Sequence, residues 1–143
     1  MKPTRRARRL ALQALCCLDV QGEHAMELAA LFITDSREPP ETIAAAGDLL
    51  RRAYAAREQC DQWLARHARH WELERLALVD RNILRLAVHE MVSGKTPAKV
   101  VITEALRLAQ EFSTAESPRF VNGILDAVYK EMQAATKTEA EGG

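Results

Sequence analysis

The stretch DRNILRLAVHEMV, residues 80–92, indicates the fold class because apolar residues cover most of the circumference of a helix drawn through it. Only a narrow polar strip remains, formed by Asn82, Arg85 and His89. A helix that is apolar on so many sides lies at the centre of a core and not at its surface. We therefore predict that this helix is surrounded by others.

Helical periodicity continues on both sides of this stretch, and alternation typical of strands is almost absent. The first helix predicted has a single apolar stripe, made of Ala7, Leu10, Ala11, Ala14 and Leu18. Thr96-Pro97 and Ser117-Pro118 are typical helix starts, with a hydroxyl cap followed by proline. The sequence predicts one all-α domain of six or seven helices over residues 1–135, and a polar tail over 136–143 that is expected to fray.

Charge is distributed unevenly along the 143 residues, although twenty basic residues balance twenty acidic ones. Five of the basic residues lie within the first nine, and no acid accompanies them: Lys2, Arg5, Arg6, Arg8 and Arg9. The rest of the chain is acidic, with fifteen basic against twenty acidic residues. Such separation of charge points to a polyanionic partner more than the zero net charge does.

Several classes of protein are not expected from this sequence. The basic start followed by LALQALCCL resembles a targeting leader, but Gln13 interrupts the run and no serine precedes Ser36. No apolar run approaches the roughly 18 residues of a membrane span. The three cysteines form no CxxC pair, which indicates a reducing cytoplasm. Phosphate-binding loops and nucleophile elbows are missing, so we predict no enzyme and no cofactor. His67 and His70 could share a metal, but no further ligand is spaced to complete a site, and no metal is expected.

The first helix has a polar side that suits nucleic acid. At about 100° per residue, Arg5, Arg6, Arg9 and Gln13 fall within an arc of about 100° opposite the apolar stripe, and Arg8 flanks this arc. Guanidinium groups bind phosphates, and glutamine can reach base edges. A merely solvated face is the alternative. It is disfavoured because no glutamates stand at i, i+4 and because arginine is unfavourable at a helix N-terminus.

Residues later in the sequence are expected to extend this basic surface. Lys95 and Lys99 bracket the Thr96-Pro97 helix start, and Arg119 follows the Ser117-Pro118 start, where free backbone N–H groups attract anions. Phe120 could stack on a base, or it could close the first turn of its helix as a core aromatic. Both interpretations of Phe120 stay open from the sequence.

Three stretches together resemble the transcription antitermination protein NusB family over nearly the whole chain. They are the basic helix RRARRLALQAL, then VDRNILRLAVHEM, and then PAKVVITEALRLAQEFSTAESPRFVNGILDAV. The last contains Gly123 inside a predicted helix, where glycine costs about 1 kcal/mol relative to alanine. A close approach of two helices is expected there.

The resemblance implies an all-helical fold of two bundles and no enzymatic activity. It implies binding to boxA-type single-stranded RNA of ribosomal RNA leaders, together with a small-subunit ribosomal protein that acts as NusE. With NusA and NusG on RNA polymerase, such a complex promotes read-through of terminators. Carried onto this chain, the implied RNA-binding residues are Arg5, Arg6, Arg8, Arg9, Gln13, Lys99, Glu116, Ser117, Arg119 and Phe120. The implied contacts with the ribosomal protein are Asp80, Arg81 and Arg85.

This chain departs from the family pattern at three positions. Cys16 stands where an aromatic residue is common, Thr103 where asparagine is common, and His89 where tyrosine is common. The first change removes an expected contact with RNA.

Two alternative functions stay open from the sequence. One is a similar RNA-binding module of an rRNA cytosine methyltransferase, and the other is a helical homodimer with no specific role in RNA binding.

Overall fold

The computed structural model describes residues 3–67 and 77–142, with side chains described as far as residue 137. Over this part of the chain there are seven α-helices and one short 3₁₀ helix, Glu23–Ala25. The α-helices are α1 (Arg5–Gln21), α2 (Met26–Thr34), α3 (Pro40–Ala55), α4 (Arg57–His67), α5 (Leu78–Ser93), α6 (Ala98–Phe112) and α7 (Ser117–Gly142). The all-α prediction of six or seven helices is confirmed.

The helices form two groups that share α5. In the first group α1 packs against α2 and α3, and in the second α5 packs against α4, α6 and α7. Helix α5 also contacts α1 and α3, so it joins the two groups. The two-bundle arrangement expected from the family resemblance is therefore found.

The core is centred on α5, as its sequence predicts. Ile83, Leu84 and Val88 are fully buried, and each adds to the apolar area removed from water. The predicted polar strip is also drawn inward, since Asn82 is 1 % exposed. Its side-chain amide donates to Asp19 and to the carbonyl of Leu78, which satisfies a polar group that would otherwise be costly to bury.

Helix α1 is fixed by its apolar side and by its ends. Every residue of the predicted apolar stripe is buried. The hydroxyl of Thr4 caps the helix by accepting from the N–H of Ala7 at 3.1 Å. At the other end Gly22 has φ 92°, and its N–H donates to the carbonyl of Leu18. The opposite side of α1 is thereby held towards the surface.

One local expectation from the sequence differs from the structure. Helix α6 begins at Ala98 with Pro97 as its cap residue, and Thr96 is buried and makes no side-chain cap hydrogen bond. Helix α7 extends to Gly142. None of the described helices combines the length and the apolar character required to cross a bilayer.

Candidate nucleic-acid interface

One side of α1 presents the basic face, which we define as Arg5, Arg6, Arg9 and Gln13. All four are exposed, and they lie opposite the buried apolar side of the same helix. The capped N-terminus and the packing against α3 and α5 hold this helix in place. The basic face is therefore a rigid row of donors and not a flexible arm.

Each arginine of the basic face has a glutamate partner from another segment. Arg5 Nε lies 3.2 Å from Glu104 Oε2, and Arg9 Nη2 lies 2.5 Å from Glu111 Oε1. Both glutamates are on α6. Arg6 has a longer contact of 3.4 Å with Glu38, which precedes α3. The three guanidinium groups are about half exposed or more, although Glu104 keeps only 13 % of its side chain accessible, so each pair contributes little to stability, about 0.2–1 kcal/mol. Phosphates can therefore compete for the guanidinium groups.

Arg8 differs from its neighbours and from its expected role in RNA binding. Its side chain is 6 % exposed and forms a bidentate pair with Glu90 of α5, with distances from 2.9 to 3.1 Å. Its position at the edge of the arginine arc turns it towards α5. Arg8 thus connects α1 to α5 and does not present its guanidinium at the surface.

A second group of predicted residues lies at the starts of α6 and α7. Lys99, Glu116, Arg119 and Phe120 are exposed, and Phe120 keeps 40 % of its surface accessible. Lys99 and Arg119 form no ion pair with any residue in the described part of the chain. The exposure of Phe120 rules against the alternative of a buried core aromatic.

Arg9 brings the two groups together. Its guanidinium lies 5.8 Å from the ring centroid of Phe112, the last residue of α6. The α6–α7 turn, residues 113–116, follows Phe112 directly and leads into Arg119 and Phe120. The basic face of α1 therefore adjoins the segment that carries the exposed residues of early α7.

Ser117 and Asp80 are buried and hydrogen-bond to each other. Ser117 is 3 % exposed, and its hydroxyl donates to Asp80 Oδ2 at 3.1 Å. Ser113 donates to the other oxygen of Asp80 at 2.7 Å. Asp80 was expected to contact a protein partner and Ser117 to contact RNA, but both are buried. Together they fix the start of α7 against α5, and so they position Phe120 indirectly.

Arg81 and Arg85 belong to a half-buried charge network at the junction of α1, α4 and α5. Arg81 Nη2 lies 2.6 Å from Asp19, while Arg85 Nε lies 2.7 Å from Asp61. Burial alone would raise the pKa of Asp19, but hydrogen bonds from Asn82 and Arg81 and the charge of Arg85 hold that pKa below its ordinary value. Both arginines keep about 15 % of their side chains accessible. A partner could reach only their edges.

The glutamate partners could not be predicted from α1 itself, because no glutamate stands at i, i+4 to its arginines. Glu104 and Glu111 come from a helix about a hundred residues away. A weak signal did exist for the buried pair, since Arg8 lies outside the arginine arc of α1 and Glu90 lies outside the narrow polar strip of α5. A charge at such an edge in each of two core helices is typical of a buried pair.

Two of the three cysteines are poor nucleophiles. Burial raises the pKa of the Cys16 thiol to about 11 and that of Cys60 to about 12. Residues 3–67 and 77–137 contain no cluster of three or more histidine, cysteine or carboxylate groups placed to hold a metal ion. His67 contacts Glu131. His70, its expected companion, lies outside the described residues.

Comparison with known proteins gives a consistent picture. Residues 5–130 match the NusB family. The transcription antitermination protein NusB of Solibacter usitatus is 46% identical over 134 residues, which cover 92% of each chain. The protein of the same name from Symbiobacterium thermophilum is 44% identical over 140 residues, again covering 92% of each chain.

Solved structures show the same fold. The NusB of T. maritima superposes with a TM-score of 0.79 at 34% identity, covering 92% of this chain and 94% of that one. The complex of antitermination factors NusB and NusE with double-stranded RNA contains a chain with a TM-score of 0.79 at 28% identity. That match covers 89% of this chain and 96% of the other.

Proposed function

The chain belongs to the NusB family, and we propose that it is an RNA-binding transcription antitermination factor that works with a NusE-type ribosomal protein. Relatives matched along 92% of both chains are antitermination proteins, and a similar fold occurs in a complex with NusE and RNA. These matches favour this function over an RNA-binding module of an rRNA methyltransferase. A binding role in the cytoplasm, with no reaction catalysed by the chain itself, is part of the proposal.

The observation that carries the proposal is the basic face of α1 beside the α6–α7 turn. Three exposed arginines and Gln13 combine phosphate donors with a group that can read a base. The guanidinium of Arg9 lies over the ring of Phe112 immediately before the turn, so RNA lying on the basic face would reach early α7. There Phe120 offers a ring for base stacking, and Arg119 offers a guanidinium for phosphate.

Within this surface the residues have different roles. Arg5, Arg6, Arg9, Lys99 and Arg119 would contact phosphates, Gln13 and Phe120 would contact bases, and Glu116 would limit how closely the backbone of RNA approaches the turn. Arg8 and Ser117 are positioning residues, since each is buried and paired with an acid of α5.

The NusE-type partner is proposed to meet the junction of α1, α4 and α5. Arg81 and Arg85 lie there, and the edges of their side chains are accessible to a partner. Asp80 is buried and contributes indirectly, because it fixes the start of α7. The assembled complex would join NusA, NusG and RNA polymerase to read through terminators. The alternative is that the exposed surface forms a homodimer. Measuring the molar mass with and without the ribosomal protein distinguishes a homodimer from the proposed complex.

The test is binding of labelled boxA-type leader RNA, followed by fluorescence anisotropy with and without the ribosomal partner, against a scrambled RNA of the same length. If about five cations contact phosphates, the logarithm of the binding constant should fall with the logarithm of salt concentration with a slope of roughly −3 to −4. Binding that is insensitive to salt, or equally tight to scrambled RNA with the partner present, contradicts the proposal.

A further inference from the structure

A cleft of about 560 Å³ lies between α3 and the end of α5. Its volume falls in the range of sites that bind small molecules, about 300–1,000 Å³. The wall formed by α3 is mostly apolar and is made of Pro40, Ala44, Ala45 and Leu49. None of the residues proposed above to contact RNA or the ribosomal protein lines this cleft. The cleft is therefore a separate feature of the fold.

Two polar side chains of the cleft have no hydrogen-bond partner among the described residues. Thr96, whose hydroxyl was expected to cap α6, is only 5 % exposed and lines the cleft. His89 is half-buried beside it, and burial lowers its pKa, so that at pH 7 the neutral ring offers one donor and one acceptor. Since buried polar groups are nearly always hydrogen-bonded, both side chains are available to a ligand.

The charges around the cleft cancel one another. Two of the three acids that line it, Asp48 and Glu90, are paired with arginines. The third acid, Glu41, is offset by Lys95, which also lines the cleft. A site without net charge does not favour a phosphate, and this distinguishes the cleft from the basic face of α1.

We propose that this cleft binds a small, neutral aromatic ligand that carries a hydroxyl or amide group. The ring packs on the apolar side chains of α3 and on the guanidinium of Arg52, whose Nε–H donates to Asp48 and leaves its flat face free for stacking. The hydroxyl or amide of the ligand forms hydrogen bonds with Thr96 and His89. This binding is independent of the function proposed above, because it uses none of the same residues.

A segment of a partner protein fits the cleft less well than a free ligand does. A peptide brings backbone N–H and C=O groups that need partners, and a mostly apolar wall offers few of them. A strongly acidic or basic segment gains nothing from a cleft without net charge. A ligand of one or two rings needs only the two polar groups that are present.

The experiment titrates the full chain with phenol and follows the backbone amide signals by NMR. Phenol should bind with a Kd of roughly 1–10 mM, as expected for so small a ligand, and should shift the amides of residues 44–49 and 89–96. Benzene lacks the hydroxyl and phenyl phosphate is charged, so each should bind at least about fivefold more weakly than phenol.

Two variants test the cleft itself. Thr96→Val should weaken phenol binding by about three- to tenfold without lowering Tm, because it removes a hydroxyl that has no partner inside the protein. Ala45→Leu should fill the cleft and abolish phenol binding. Ala55→Leu, at the exposed end of α3 and outside the cleft, is the matched control and should bind phenol normally.

Several results would overturn the proposal. Benzene binding as tightly as phenol, phenyl phosphate binding more tightly, or unchanged phenol affinity in Thr96→Val would each do so. A clear fall in Tm for Thr96→Val would show that the hydroxyl has an internal partner. Displacement of phenol by the ribosomal protein would show that the cleft receives a protein segment instead. If Ala45→Leu fails to fold, Thr96→Val and the three probes still decide. Failure to bind leader RNA, with phenol bound as described, would contradict only the proposed function.

Discussion

Arg8 and Glu90 form a buried bidentate ion pair that joins α1 to α5, with Nη2 of the arginine 2.9 Å from Oε1 of the glutamate. Both side chains are only 6 % exposed. Arg5 and Arg9 lie within one turn of Arg8 and face outward, so this pair sets the orientation in which the basic face is presented. One arginine of α1 therefore forms a structural ion pair, while its neighbours Arg5 and Arg9 belong to the surface proposed to bind RNA.

Arg8→Ala is predicted to lower the free energy of unfolding by about 3–5 kcal/mol, because it leaves the Glu90 carboxylate buried and unpaired. Urea denaturation measures this change. The double variant Arg8→Met with Glu90→Leu should recover most of the loss, since a well-packed apolar pair can replace a buried ion pair. A single variant that retained full stability would show that the pair is solvated and has no structural role.

Arg5→Gln and Arg9→Gln are each predicted to weaken RNA binding by about three- to tenfold, because a charge-assisted contact with phosphate is lost. Each should reduce the magnitude of the salt slope by roughly 0.7 and change stability by less than about 0.5 kcal/mol. Arg52→Gln, which removes an exposed arginine paired with Asp48 on α3, is the matched control and should bind RNA normally. Equal losses in all three would indicate a non-specific effect of charge.

Glu104→Gln and Glu111→Gln are predicted to strengthen RNA binding by up to about fivefold each, because they release the exposed guanidinium groups of Arg5 and Arg9 from their ion pairs. Anisotropy titrations at a fixed salt concentration measure the change. The exposed Glu27 on α2 provides the control, and Glu27→Gln should have little effect. Weaker binding in the α6 variants would mean that the glutamates orient the arginines for RNA instead of competing with it.

His89 should make stability depend on pH. Burial lowers the pKa of His89 below its ordinary value of 6.5, although the charge of Glu90 acts in the other direction. The unfolded chain therefore takes up the proton first as pH falls, so the stabilisation is complete above about pH 6.5 and is lost as pH falls towards the folded pKa. His89→Gln should flatten the difference in free energy of unfolding between pH 7 and pH 5. If His89→Gln kept the full slope, the titrating group would lie elsewhere.

The helices of the fold could be predicted because the apolar pattern that defines each of them lies within one continuous stretch of sequence. The apolar circumference of α5 and the single stripe of α1 follow from spacing within one helix, and both are buried as expected. The exposed part of the basic face follows from the same projection. No tertiary contact is needed to place Arg5, Arg9 and Gln13 on one side of a helix.

The roles of Arg8, Ser117 and Asp80 could not be predicted, because they depend on pairing across the chain. Arg8 meets a carboxylate 82 residues away, and Ser117 meets one 37 residues away. The sequence identifies these residues as polar but does not show which helix faces them. The close approach of two helices expected at Gly123 is not found, because a Cβ added there has no heavy atom of the described residues within 4 Å. Only the assembled fold shows that this space is open.

Helix α5 determines how far apart the two surfaces proposed to bind RNA lie, namely the basic face of α1 and the start of α7. Asp80 holds the start of α7 and Glu90 holds the start of α1, and these anchors are ten residues apart, or about 15 Å along the helix axis. Inserting or deleting one residue between them would shift one anchor by about 1.5 Å and rotate it by about 100°. Such a change would put the two surfaces out of register for a single RNA strand, even with every charged and aromatic side chain retained.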